Sequence, residues 1–312
     1  MKNIKTLETE NINIILDNKI DNLLQRSSKN KLKKSILILS GGGVKGIAHI
    51  GVLKSLANNN LLVDIKTIVG ASVGGIIAIL YSIGYTPDDM YNFIDLLDIK
   101  KLKNYNPAGF LLNYGLDDGK KFDFVISRLL EAKNFNPNVT FMELYKKSNL
   151  NIILSTVCLN DKQVYYLSHQ NTPDLSIMIA ARMTSCVPIY FVPIKYKGKM
   201  YIDGGCIDDY PIQLFEDRMD EVIGVYLSEN REYIKDITNM EEFLLNLMHC
   251  FFEGMKCNSI KGFGKNTILI KLPSNGSGVS ALNFDINNIT KKDLYDRGIK
   301  AANMYINSKL IL

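Results

Sequence analysis

Cysteine and histidine are the residues this chain has little of, and their scarcity excludes more than the complete absence of tryptophan does. The five cysteines, Cys158, Cys186, Cys206, Cys250 and Cys257, are odd in number and include no CxxC pair. A disulfide framework and a metal site are therefore not expected, and a reducing, cytoplasmic setting fits best. With 8 prolines and 22 glycines in 312 residues, the chain is neither collagen-like nor a low-complexity linker. Charge of one sign is in small excess: 37 basic against 32 acidic residues leave a net +5. The basic residues form short clusters (Lys29, Lys31, Lys33 and Lys34; Lys100, Lys101 and Lys103; Lys195, Lys197 and Lys199) and no continuous stripe, so nucleic acid is not an expected partner. These clusters read either as solvated surface or as sites of attraction to anionic lipid head groups. The first twenty residues carry acids throughout and have no apolar central region, so no secretory signal peptide is visible.

One long uncharged run does exist, from Thr67 to Pro87. About 20 apolar residues cross a bilayer, but glycines at 70, 74, 75 and 84 break this run. It reads as a buried parallel strand turning into a buried helix, and no transmembrane helix is expected. A hydrophobic content of 46% against 22% charged residues excludes disorder of the whole chain. Residues 1–34 read as an N-terminal extension, partly helical or partly disordered, and residues 35–312 as one domain. Ser35–Leu39 has the continuous apolar pattern of a buried strand, Ile47–Leu56 helical spacing, Asp64–Val69 a second strand and Val73–Ser82 a helix apolar all round. This βαβα order predicts a mainly parallel sheet covered by helices. Further helices are expected over 87–98, 122–132, 175–184, 240–257 and 290–306, the last capped by Thr290, and strands over 150–157, 163–167, 199–202, 221–227 and 267–272.

Two glycine-rich turns follow the first two strands. Gly41-Gly42-Gly43-Val44-Lys45-Gly46 opens the first helix, where exposed N–H groups favour negative charge. Alone it fits a dinucleotide loop, an oxyanion hole or tight packing; Ile47-Ala48 after Gly46 excludes a phosphate-binding P-loop. Gly70-Ala71-Ser72-Val73-Gly74 places a serine on a strand-to-helix elbow, where its hydroxyl is presented for attack. A dinucleotide site wants an acid at the end of the second strand, and Gly70-Ala71-Ser72 stands there instead. Adjacent parallel strands then bring the Gly41–Gly46 amides beside Ser72 as an oxyanion hole.

A serine nucleophile needs a base. His49 lies within a helix and reads as packed, His169 as a loop residue and His249 as a mid-helix residue; none sits on a convincing catalytic loop. Tyr201-Ile202-Asp203-Gly204-Gly205 puts an acid at a strand end, and its two glycines permit close approach of another segment. Asp203 reads either as a strand-end turn residue or as an acid that accepts the Ser72 proton without histidine; Asp208 and Asp209 are alternatives.

As a set, these motifs resemble the patatin-like phospholipases, with their G-G-G-x-[RK]-G loop, G-x-S-x-G elbow and D-G-[GA] ahead of a proline. Ala180-Ala181-Arg182-Met183-Thr184-Ser185-Cys186-Val187-Pro188 and Phe191-Val192-Pro193 resemble the family too, and the likeness runs from about Ser35 to Pro211. It implies a three-layer α/β sandwich with a mainly parallel central sheet, and a lipid acyl hydrolase of phospholipase A type working through a Ser–Asp dyad and an acyl-enzyme. By position Ser72 is then the nucleophile, Asp203 the base, and the Gly42, Gly43 and Val44 amides the oxyanion hole, with no cofactor. Lys45 stands where Arg is usual, and Asp209 where many members have Asn. The implied partner is membrane phospholipid or another acyl lipid, met by transient contact with the membrane surface; a protein activator is left open. Alternatives are an esterase or thioesterase on soluble acyl compounds, and a lipid-binding effector with little turnover. An acyl chain must also reach Ser72. Asp89–Lys103, with Met90, Phe93, Ile94, Leu97 and Ile99 among charges, and the following Gly109-Phe110-Leu111-Leu112 read either as packing on the sheet or as an apolar entrance facing a bilayer.

Overall fold

The computed structural model describes residues 34–229, 262–272 and 286–310, together with 236–251 apart from 241, 245 and 249. The expectations for residues 1–33, His249 and Cys257 lie outside the described residues. From Lys34 onward the chain forms one compact unit.

Strand β1 (Ile36–Leu39) is buried on both faces. Leu37 and Leu39 enter the larger core cluster and Ile36 and Ile38 the smaller one on the opposite face, which is why the segment is apolar at every position. It pairs in parallel with β2 (Thr67–Ala71) on one side and β9 (Val222–Glu229) on the other. Beyond these lie β10 (Thr267–Leu272) and β4 (Asn151–Cys158), also parallel. The sheet then turns antiparallel through β8 (Lys199–Asp203) and β7 (Ile194–Tyr196), giving the order β10-β9-β1-β2-β4-β8-β7.

The register around β4 places the site. Strand β5 (Gln163–Leu167) pairs with Leu154–Cys158 of β4, overlapping both the β2 pairing and the β8 pairing. A strand has two edges, so β2 and β8 share the edge that β5 does not use. On that edge β2 runs with β4 and ends with Ala71 opposite Ser155, while β8 runs against it and ends with Asp203 opposite Thr156. The carboxyl ends of β2 and β8 therefore meet head to head.

Helices α1 (Ile47–Asn58), α2 (Val73–Ser82), α3 (Pro87–Leu96) and the closing helix contribute to the larger core. On the other face Tyr210 and the 3-10 segment Ile212–Glu221 cover Ile36, Ile38, Val69 and Tyr226, which completes a three-layer α/β sandwich. The connections between β2 and the site strands carry α4 (Phe110–Asn113), α5 (Lys120–Ala132), α6 (Phe141–Ser148) and α7 (Ile177–Thr184). The closing helix α8 (Asn288–Leu310) crosses α1 at two glycines: a Cβ on Gly51 would lie 2.0 Å from the Tyr295 carbonyl oxygen, and one on Gly298 2.0 Å from that of Ala48.

Several boundaries differ from expectation. The uncharged run is β2 plus α2, and among the described residues no helix is long and apolar enough to cross a membrane. The second strand begins at Thr67 and extends through Gly70 and Ala71, because β1 and β4 offer partners along that length. Helix α8 starts earlier than Thr290: Asn287 Oδ1 accepts the Thr290 N–H at 2.9 Å, an asparagine cap in place of the threonine. Lys34 is buried, with Nζ donating to the Asp220 carbonyl at 2.6 Å, and so is not part of a solvated cluster. Met90 and Ile99 are buried and Phe93 and Ile94 pack against the core, whereas Leu111 and Leu112 stay in solvent.

Candidate active site

Ser72 sits between β2 and α2 with φ 51° and ψ −123°, a conformation that costs a non-glycine residue on the order of 1–3 kcal/mol. Close packing enforces it. A Cβ on Gly74 would lie 2.4 Å from the Leu39 carbonyl oxygen, and one on Gly70 2.4 Å from the Gly74 backbone, so the elbow folds back onto β1 only with small residues at these two positions. The Ser72 N–H donates to Thr184 Oγ1 at 3.1 Å. Two residues further on, the Cys186 carbonyl accepts the Asp203 N–H at 2.8 Å. The end of α7 thus holds both residues at once, where β2 and β8 converge.

The glycine loop closes the third side. Gly42 (φ 151°) and Gly43 (φ 55°) occupy backbone regions that favour glycine. Gly41 donates its N–H to the Asp209 carbonyl at 3.0 Å, and a Cβ there would lie 2.1 Å from Asp209 Oδ1 and 3.3 Å from Ser72 Cβ. Val44, Lys45 and Gly46 form the 3-10 turn leading into α1; all three are buried, and Gly46 rests against Val73 of the elbow. The amides of Gly42, Gly43 and Val44 lie between Gly41, which approaches Ser72, and Gly46, which rests on Val73.

Asp203 is buried at the end of β8, and its Oδ1 accepts the Gly205 N–H at 2.8 Å. Gly204 rests on β4, where a Cβ would lie 2.2 Å from Ser155 Oγ. Asp209 Oδ1 lies close to Gly205 as well as Gly41, which ties the glycine loop to the Asp203 loop. Asp208 has a structural role, in which Tyr166 donates its hydroxyl to Oδ2 at 2.6 Å and the Tyr210 N–H donates to Oδ1 at 3.3 Å. Burial pushes the Asp208 carboxyl above the usual range, opposed by the Tyr166 hydrogen bond.

The two described histidines and Cys186 are occupied by their surroundings. His49 is fully buried with Nε2 on the Ser40 carbonyl at 2.9 Å, and burial pushes its pKa down to about 4. That contact requires Nε2 to carry the proton. His169 stacks on Tyr145 with ring centroids 3.7 Å apart, and its Nδ1 lies 3.0 Å from Asn151 Oδ1 at the start of β4, the strand end opposite the site. Burial pushes the Cys186 thiol up to about 12, so it stays protonated and a poor nucleophile at neutral pH. Sequence reasoning does not reach the roles of Thr184 and Tyr166. The only sign of the former is its place in the Ala180–Pro188 stretch, and nothing local marks Tyr166.

The profile of the patatin-like phospholipases matches residues 37–216, and the chain belongs to that family. It is 30% identical over 298 residues to the uncharacterized protein R571 of Acanthamoeba polyphaga mimivirus, a match covering 91% of this chain and 98% of that protein. It is 31% identical over 206 residues to the probable lipid hydrolase 463L of Invertebrate iridescent virus 6, covering 64% of this chain and 69% of that one. Among solved structures, VipD from Legionella pneumophila superposes with a TM-score of 0.56 at 18% identity, over 88% of this chain and 67% of that one, a likeness of fold.

Proposed function

We propose that the protein is a lipid acyl hydrolase of phospholipase A type in which Ser72 and Asp203 form a catalytic dyad. The observation that supports the reading is that Thr184 and Cys186, two residues apart, accept the Ser72 and Asp203 N–H groups. Ser72 Oγ attacks the ester carbonyl and Asp203 takes its proton. The amides of Gly42, Gly43 and Val44 stabilise the oxyanion, an effect worth about 2.7–4 kcal/mol per donor in other enzymes. The proton passes to the departing alcohol. Asp203 then activates a water that releases the fatty acid from Ser72. Both side chains are buried, so the charge that develops is poorly screened and fixed donors count for more than in water. The substrate is an acyl ester of a membrane lipid, met by peripheral contact with the bilayer.

A fluorophosphonate probe and a panel of phospholipids test this reading. Parent protein is expected to be labelled and to release fatty acid, while Ser72→Ala does neither and Asp203→Asn loses turnover with its fold retained. Labelling at another residue, or equal hydrolysis by Ser72→Ala, overturns it. Turnover confined to soluble thioesters or short esters shifts the assignment to an esterase, and binding without labelling to a lipid-binding effector.

A further inference from the structure

Residues 104–117 form a loop with a closed polar base and an apolar tip. At the base Asn106 N donates to the Leu116 carbonyl at 2.7 Å and Asn104 N to Asp117 Oδ2 at 2.6 Å. Asp117 is buried, and its Oδ1 accepts the Gly119 N–H at 2.7 Å. At the tip α4 buries none of its residues, and Leu111 and Leu112 are 85% and 81% exposed. Scattered exposed leucines are ordinary; two consecutive ones held out by a loop with a buried carboxylate at its base are not explained by packing.

The neck of the same loop is basic. Lys100, Lys101 and Lys103 precede it, Lys120 and Lys121 follow it, and Lys121 Nζ donates to the Lys103 carbonyl at 2.6 Å, which joins the two groups. Between residues 98 and 121 these five lysines face three aspartates, of which Asp117 is turned inward. A cavity of about 320 Å³ lies between them, lined by Lys101, Lys120 and Lys121 together with Leu102, Phe124 and Val125. Lys120 also pairs with Asp118 at 2.9 Å. The loop connects to the candidate site through β3 (Gly115–Asp117), which pairs with β6 (Ile189–Phe191), just downstream of the Cys186 carbonyl that holds Asp203.

We infer that this face docks on an anionic lipid bilayer, with Leu111 and Leu112 entering the acyl region and the lysines at the level of the phosphates. Its meaning for substrate delivery rests on the lipid-hydrolase reading; the docking itself does not. Charge decides the occupant. Anionic head groups complement the neck, whereas a second copy meeting it face to face would set lysine against lysine.

The test uses the full chain carrying Ser72→Ala, so that no vesicle is hydrolysed. It is co-sedimented with vesicles of phosphatidylcholine alone or mixed with phosphatidylglycerol. Binding to the mixed vesicles, weakened by salt, is expected. Adding Leu111→Ser and Leu112→Ser should lower partition roughly tenfold or more, and Lys101→Glu with Lys120→Glu and Lys121→Glu should erase the preference for the anionic lipid. Near-ultraviolet circular dichroism checks that both variants are folded. Equal partition of the leucine variant, or equal binding to both vesicle types, overturns the inference. So does self-association in the absence of vesicles that the leucine substitutions abolish. Vesicle binding without hydrolysis by the parent removes the activity and leaves the docking face, and ester hydrolysis without vesicle binding does the reverse.

Discussion

At Ser72 two costs can be weighed against each other. Relief of the positive φ by Ser72→Gly should return about 1–3 kcal/mol, against roughly 0.5–1 kcal/mol for the added freedom of glycine in the unfolded chain. The variant is therefore expected to equal or exceed the parent in urea unfolding while losing hydrolysis. A clear loss of stability would mean that the Ser72 hydroxyl itself holds the elbow together. His49 supplies the second residue-scale expectation. Its imidazole titrates near 6.5 when unfolded and at about 4 when folded, so the unfolded chain takes up the proton first. The stability this group contributes is complete above pH 6.5 and is lost as the pH falls towards 4, a difference on the order of 3 kcal/mol. Comparing unfolding at neutral pH and at about pH 4.5, His49→Gln should show a smaller drop than the parent, with the carboxylates common to both proteins cancelling. An equal drop would show that His49 is not held neutral.

At the scale of elements, the contact between α1 and α8 sets helix propensity against packing. Alanine is better than glycine within a helix by about 1 kcal/mol, yet a Cβ on Gly298 would meet the Ala48 carbonyl oxygen at 2.0 Å. The obstacle is backbone, so overpacking of roughly 1–3 kcal/mol should win. Gly298→Ala is expected to lower the thermal midpoint, and a rise would show that the helices can move apart freely. This contact is invisible in the sequence because nothing near Gly51 or Gly298 announces a partner so distant along the chain. The elements themselves are more legible. Strand β1 and helix α2 are apolar throughout and bounded by glycine-rich turns, so pattern alone places them to within a residue. Helix α6 is missing from the expected helices although Thr140 and Glu143 form a reciprocal capping box, a local signal present in the sequence. Ser72 and the glycine loop can be paired in advance because parallel neighbours must bring successive turns to one sheet edge. The opposition of Asp203 is a different matter, since it depends on β8 reversing direction against β4, and no periodicity encodes strand direction. Thr184 and Tyr166 act through partners distant in sequence, and apart from the place of Thr184 in the Ala180–Pro188 stretch nothing local marks their roles.

For the whole molecule, the family match ends at residue 216, yet β1 takes its second partner, β9, from residues 222–229. A fragment of residues 34–216 would leave β1 with one open edge and the larger core without the residues that β9, β10 and α8 contribute. It is expected to give no near-ultraviolet circular dichroism signal of the native kind and a broad elution profile; a cooperatively unfolding fragment would show that the C-terminal part is an addition and not a structural necessity. The head-to-head arrangement of β2 and β8 has a further consequence in time. Synthesis proceeds at about 5–20 residues per second, so Ser72 leaves the ribosome on the order of ten seconds before Asp203. Throughout that interval the nascent chain carries a serine without its proposed base, and for most of it without the Thr184 anchor as well. With the dyad proposed above, a half-made chain cannot attack the lipids of its own cell, because the chemistry begins only when the last of the site strands docks.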